Sequence, residues 1–270
     1  LIGLITICRL HGSLPDSVQA NLDTISGGEE KVKWLLKIAF NLLDSDPGSI
    51  RPYLEEAKGL SEKYSDYDGQ CRVNSAYTAY YLVSGRIDSG KVTYRHTMDC
   101  LQSMENFAHW RQAMTIVVNF NMRTGEYKEA KRLSEEAIER IKGTEKQRGL
   151  AIFLHNLALA EKFLGNKAGA IDLLKEAERL FRKEGNYKGI ISCKNNYGMS
   201  YNEQGLHKDA LKAYQETLAL ATEQRFVRAM VSCYINIAEA YSKLGEVILA
   251  EEYYLTCIDS AKHYNLERVM

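Results

Sequence analysis

The sequence is short of proline, of net charge and of any catalytic or metal-binding signature. Only three prolines occur, Pro15, Pro47 and Pro52, and none follows residue 52. The long proline-free remainder favours helices joined by short turns, because proline is the strongest helix breaker. Lysine plus arginine and aspartate plus glutamate each number 35, so the formal net charge is zero. That balance leaves no basic excess for nucleic acid or an anionic membrane surface. Hydrophobic residues at 45% and charged residues at 26% match an ordinary soluble globular protein, and 270 residues suit one elongated domain or two compact ones, between which length alone does not choose.

Six cysteines stand at positions 8, 71, 100, 193, 233 and 257. They form no CxxC pair and no cluster with histidine at zinc spacing, so neither a metal nor another cofactor is expected. An even count is weak evidence for disulfides in a chain able to bury a core. Most of these cysteines are expected to behave as small apolar packing residues.

Catalytic patterns are equally scarce. Gly85 to Val92 nearly matches a phosphate-cradling loop, but Val92 replaces the hydroxyl residue and no strand pattern precedes it. Histidines 11, 96, 109, 155, 207 and 263 are scattered, without HExxH, a nucleophile elbow or a Cys–His signature. Adjacent acids such as Glu135-Glu136 and Glu251-Glu252 face different directions on a helix and read as solvated surface. An enzyme is not expected.

What is present is a repeat. Gly85, Gly125, Gly165, Gly205 and Gly245 recur every 40 residues. Five places later come Gly90, Ala130, Ala170, Ala210 and Ala250, and seven beyond those Thr97, Ala137, Ala177, Thr217 and Cys257, all small. Three concordant ladders are not a chance product of 19 glycines. A glycine in the left-handed conformation ends one helix, here helix A, and turns the chain sharply. Small residues seven apart share one face of the following helix B, so the two helices pack closely. Polar stretches such as 143–149 and 183–189 are expected to form the second turn, with Gly149 and Gly189 again 40 apart. Extending the frame gives units 31–70, 71–110, 111–150, 151–190, 191–230 and 231–270, with Ser45 at the first turn place. Unit 71–110 is the least regular. One hairpin cannot bury its own apolar faces, so neighbours must stack.

The stretches FLGNKAGAIDLLKEAERL, EQGLHKDALKAYQETLAL and KLGEVILAEEYYLTCI resemble tetratricopeptide repeats at the join of helices A and B. Their shared order is glycine, alanine five later, a bulky residue (Leu174, Tyr214, Tyr254) and then a small one. The period of 40 departs from the family's usual 34 and resembles the extended repeats of kinesin light chain, Pins-type adaptors and Rap-type regulators. The resemblance implies an all-α fold, an α-α superhelix of antiparallel hairpins over residues 27–270. Residues 1–26 are left as a lead-in.

The resemblance also implies a working face. In this family helix A lines a groove in which peptides lie. Asn156, Asn196 and Asn236 share one helix-A place in three successive units. A carboxamide donates and accepts, so such a file can pair with the backbone of an extended peptide, or it can merely bond the neighbouring helix. Asn119, Arg123, His155, Lys162, Asn195, Asn202, Glu239 and Lys243 fall on the same face. Tyr77, Tyr197 and Tyr201 read as packing residues.

The opening LIGLITIC is too short to span a bilayer, which takes about 20 residues. It reads either as the end of an export signal or as the end of a buried helix. Val269 occupies the place of Gly149 and Gly189, so a further helix A is expected to begin there. Residues 14–47 resemble the start of tetratricopeptide sensor regions in Bacteroidetes-type signalling proteins. That resemblance implies a protein- or peptide-binding sensory region of a larger protein, facing the periplasm and reaching the membrane only through flanking segments. A Rap-like cytosolic peptide-responsive regulator and a non-signalling assembly scaffold are the alternatives.

Overall fold

The computed structural model of the chain describes residues 14–43, 46–144 and 149–264. The expectations for LIGLITIC, for Ser45, for residues 145–148 of the second polar turn and for Val269 lie outside them. Every regular element described is helical: thirteen α-helices and one 3-10 turn over Pro47–Ser49, with no strand among the described residues. The chain divides into two compact units, one ending at Glu126 and the other beginning at Tyr127.

The first unit holds α1 (Asp16–Thr24), α2 (Gly28–Leu42), α3 (Arg51–Lys63), α4 (Tyr67–Val83), α5 (Ile87–Leu101) and α6 (Phe107–Thr124). Leu22, Val32, Leu35, Leu36, Ile50, Leu54, Val73 and Tyr80 form a buried cluster from α1 to α4. Tyr77 packs against its edge. The second unit holds α7 (Tyr127–Lys142), α8 (Leu150–Phe163), α9 (Lys167–Lys183), α10 (Tyr187–Glu203), α11 (His207–Glu223), α12 (Val227–Lys243) and α13 (Val247–His263). From α7 to α13 each helix packs on the next, the antiparallel order of a tetratricopeptide-like stack.

The residues that build the stack are those of the repeat. In α7, Ala130, Leu133, Ala137, Ile138 and Ile141 are buried at the three-, four- and seven-residue spacing of one helical face. The outer face carries Arg132, clamped by Glu129 at 2.6 Å and Glu136 at 3.0 Å. Gly90 and Ala130, Ala170, Ala210 and Ala250 are all buried, as are Thr97, Ala137, Ala177, Thr217 and Cys257. Small residues therefore mark the lines of closest helix approach.

Turn chemistry differs between the two ends of a hairpin. Gly85, Gly125, Gly165, Gly205 and Gly245 all take positive φ, from 71° to 99°, which ends helix A as expected. At the other end one expectation needs correcting. Gly149 has φ 86°, but Gly189 lies inside α10, where its N–H donates to the capping Asn186 Oδ1 at 3.0 Å. The left-handed residues of these second turns are Ser65, Gly185 and Arg225, with φ of 52°, 65° and 57°. A Cβ on Gly189 would lie 2.5 Å from the Phe181 ring, so its smallness serves close packing rather than the turn.

The cysteines need a second correction. Cys71 on α4 and Cys100 on α5 are joined in a disulfide with Cα atoms 5.7 Å apart. Cys193, Cys233 and Cys257 are free and buried, the packing role expected of them. Burial pushes the Cys193 and Cys233 thiols up to about 12, well out of the reactive range.

Candidate binding face

The helix-A face of the second unit is formed by α8, α10 and α12, and two equivalent hydrogen bonds tie these helices together. His155 Nε2 on α8 meets Asn196 Nδ2 on α10 at 3.2 Å, a sequence separation of 41. Asn236 Nδ2 on α12 donates to Asn195 Oδ1 on α10 at 2.7 Å, again a separation of 41. One repeat is 40 residues, so the place held by His155 and Asn195 pairs with the next place along in the following unit. The ladder is staggered between two adjacent files, not confined to the single asparagine file that the sequence suggests. The neighbour-bonding role is thus present at Asn196 and Asn236, where it occupies only part of each amide.

Asn196 uses Nδ2 twice, toward His155 and toward the Ser192 carbonyl at 2.8 Å. Its Oδ1, like that of Asn236, accepts nothing among the described residues. Two amides are therefore held in fixed orientation by their nitrogens with their oxygens uncommitted. His155 is part of the same frame. Ser192 Oγ lies 2.9 Å from Nε2, and the Asn196 donor makes that nitrogen an acceptor, so the ring proton sits on Nδ1 facing Asn156 Oδ1 at 3.5 Å. Burial lowers the pKa of His155 and keeps it neutral; the Asn156 contact opposes this without reversing it.

The remaining expected groove residues fall into four groups. Asn156 and Lys162 are buried. Lys162 Nζ pairs with Glu203 Oε1 on α10 at 2.8 Å, and Lys167 meets the other oxygen at 3.4 Å. Burial would raise the Glu203 carboxyl, but the bonds and charges of these lysines hold it below the usual carboxylate range. Lys162 is thus a strut between α8 and α10. Asn202 Oδ1 accepts from His207 Nδ1 at 2.6 Å and serves the local turn. Glu239 and Lys243 are exposed on α12. Asn119 and Arg123 lie on α6 in the first unit, half-buried and exposed respectively. Tyr197 is buried and Tyr201 packs on the cluster around Tyr214 and Ile237, so both are packing residues.

Two residues of the face were not evident from the sequence. Ser192 sits one turn before Asn196 and completes the His155 contact. Lys194, beside them on α10, pairs with Glu216 on α11 at 2.6 Å. Ser192 recurs as Ser232 at the 40-residue interval, a signal that could have found it, whereas Lys194 has no counterpart at that interval. Among the described residues no group of three His, Cys, Asp or Glu side chains is placed to hold a metal ion, and no helix is long and apolar enough to cross a membrane.

The profile of the tetratricopeptide repeat matches residues 111–183 and 190–263. No curated protein sequence matches the chain. Among solved structures, the chain is similar to BtubC (BKLC) from P. vanneervenii, at 16% identity over 87% of this chain and 92% of that one, with a TM-score of 0.63. It is similar to NprR in complex with its cognate peptide NprX, at 23% identity over 86% and 68%, TM-score 0.63. A third is a STAND signal-transduction ATPase with a tetratricopeptide repeat sensor from Pyrococcus horikoshii, at 14% identity over 91% and 37%, TM-score 0.68. Likeness at these identities is a likeness of fold.

Proposed function

The chain belongs to the tetratricopeptide repeat family, a protein-binding scaffold, and from that premise we propose that α8, α10 and α12 hold an extended peptide segment of a protein ligand. The observation that carries this reading is the pair of uncommitted acceptors, Asn196 Oδ1 and Asn236 Oδ1, on amides already oriented by the 41-residue bonds. An extended backbone presents N–H groups at regular intervals, and fixed acceptors bind it without losing further side-chain freedom. Exposed Glu239 and Lys243 add charges of both signs beside the file, so the face favours a mixed rather than an acidic ligand. The fold of NprR, solved with its cognate peptide, is a precedent for a peptide on this architecture.

We read residues 27–270 as one repeat array preceded by a lead-in, and the array as the sensory region of a larger signalling protein. The tetratricopeptide repeat sensor of the Pyrococcus horikoshii protein supports that setting. The test begins with the ligand. A random peptide display library panned on the full chain should yield binders, and Asn196→Ala with Asn236→Ala should weaken them about tenfold, from roughly 1 kcal/mol or less per lost hydrogen bond. Arg179→Ala, at an exposed position of α9, should leave binding unchanged. Selected peptides that bind the double variant as tightly as the parent chain would sink the reading.

A further inference from the structure

The hairpin of α4 and α5 is built unlike the others. Its shared interface is partly polar, since Thr78 Oγ1 bonds Thr93 Oγ1 at 2.9 Å and meets Thr97 Oγ1 at 3.5 Å. Thr78 and Thr97 are fully buried, so hydroxyls stand where apolar side chains would contribute more. Arg72 is 7% exposed, and its Nε and Nη1 find no hydrogen-bond partner. Burial lowers its pKa, against the charges of Asp68, Asp66, Glu29 and Glu30. Buried polar residues also occur in α10–α11, at Ser200 and Thr217, but among the described residues a disulfide joins only α4 and α5.

The Cys71–Cys100 bond lies at its open end, opposite the Gly85 turn. Cys71 is in the first turns of α4 and Cys100 in the last turn of α5, 29 residues apart. The hairpin is thus closed at both ends, by a tight turn and by a covalent bond. Just outside the two cysteines stand the walls of a cavity of about 370 Å³, lined by Asp66, Tyr67 and Asp68 on one side and Ser103 to Asn106 and His109 on the other. The bond joins α4 to α5 beside those walls. Asp68 Oδ2 and His109 Nδ1 meet across it at 2.6 Å, and Ser103 Oγ reaches Tyr67 OH at 3.4 Å.

We propose that Cys71–Cys100 is a structural staple formed in an oxidising compartment, and that order at the open end of α4–α5 and in the adjoining acidic cavity depends on it. Such bonds persist in oxidising compartments and are scarce where thiols are kept reduced. Both sulfurs are buried, Cys71 at 0% and Cys100 at 7% exposure, so a reductant reaches them only when the hairpin end opens. The other described cysteines, buried elsewhere, are not placed to exchange with them.

The experiment uses the full chain produced by export into an oxidising compartment. Peptide mapping without reduction should recover a Cys71–Cys100 cross-linked pair. Hydrogen exchange should then quicken in residues 67–75 and 96–109 on reduction with dithiothreitol, and likewise in Cys71→Ser with Cys100→Ser, while residues 190–263 are unaffected. The thermal midpoint should fall by about 10 °C, the size expected for releasing a loop of this length. Absence of the cross-linked pair would overturn the proposal, even were the double variant not to fold. So would reduced and oxidised chains that exchange at the same rate over 67–75 and 96–109.

Discussion

At the scale of single residues, the face on α8, α10 and α12 depends on the neutral form of His155. Its Nε2 accepts from Asn196, and a proton there would replace the acceptor with a donor facing an amide N–H. The folded pKa is lowered by burial, whereas an unfolded histidine titrates near about 6.5. Below that pH the unfolded chain binds the extra proton first, so stability is full above about pH 6.5 and declines as the pH falls toward the folded value. Urea denaturation at pH 7.5 and 5.5 should show the parent chain losing on the order of 1 kcal/mol more than His155→Gln over this interval. Equal losses in the two chains would mean that His155 is not held neutral. Peptides selected at neutral pH should likewise release more readily as His155 titrates, because Asn196 loses its anchor.

At the scale of elements, the turns explain what the sequence discloses and what it hides. The turn after helix A is legible because each one is a glycine with positive φ, from Gly85 to Gly245. The turn after helix B is not, because the same left-handed place holds Ser65, Gly185 and Arg225. Serine and arginine carry no signal for that conformation, and the nearby Gly189 offers a false one. The cost of a Cβ in this region predicts opposite outcomes at equivalent places. Arg225→Gly should stabilise the second unit by about 0.5–1 kcal/mol, the strain relieved less the added freedom of unfolded glycine. Gly185→Ala should destabilise it by about 1 kcal/mol. Chemical denaturation measures both, and a loss of stability in Arg225→Gly would contradict the account. The disulfide is hidden for a related reason. A separation of 29 does not follow the 40-residue period, and only the packing of α4 on α5 brings Cys71 to Cys100.

At the scale of the whole molecule, the three ladders of glycine and small residues make the helical class readable, because they repeat a packing constraint rather than a composition. The candidate face is readable only in part. The register places Asn156, Asn196 and Asn236 on successive helices, but burial removes Asn156 and the actual bonds run to His155 and Asn195 in the adjacent file. Lys162 follows the register as a groove residue yet is used up as a strut to Glu203. A period shows which side chains share a face, whereas exposure and partner depend on the residues packed around them. A protein ligand held along α8, α10 and α12 would shield the backbone of those three helices. Hydrogen exchange of the full chain, with and without a peptide selected from a random library, tests it most directly. Exchange should slow in 150–163, 187–203 and 227–243, with α9, α11 and α13 unchanged. Protection confined to α9, α11 and α13 would contradict it.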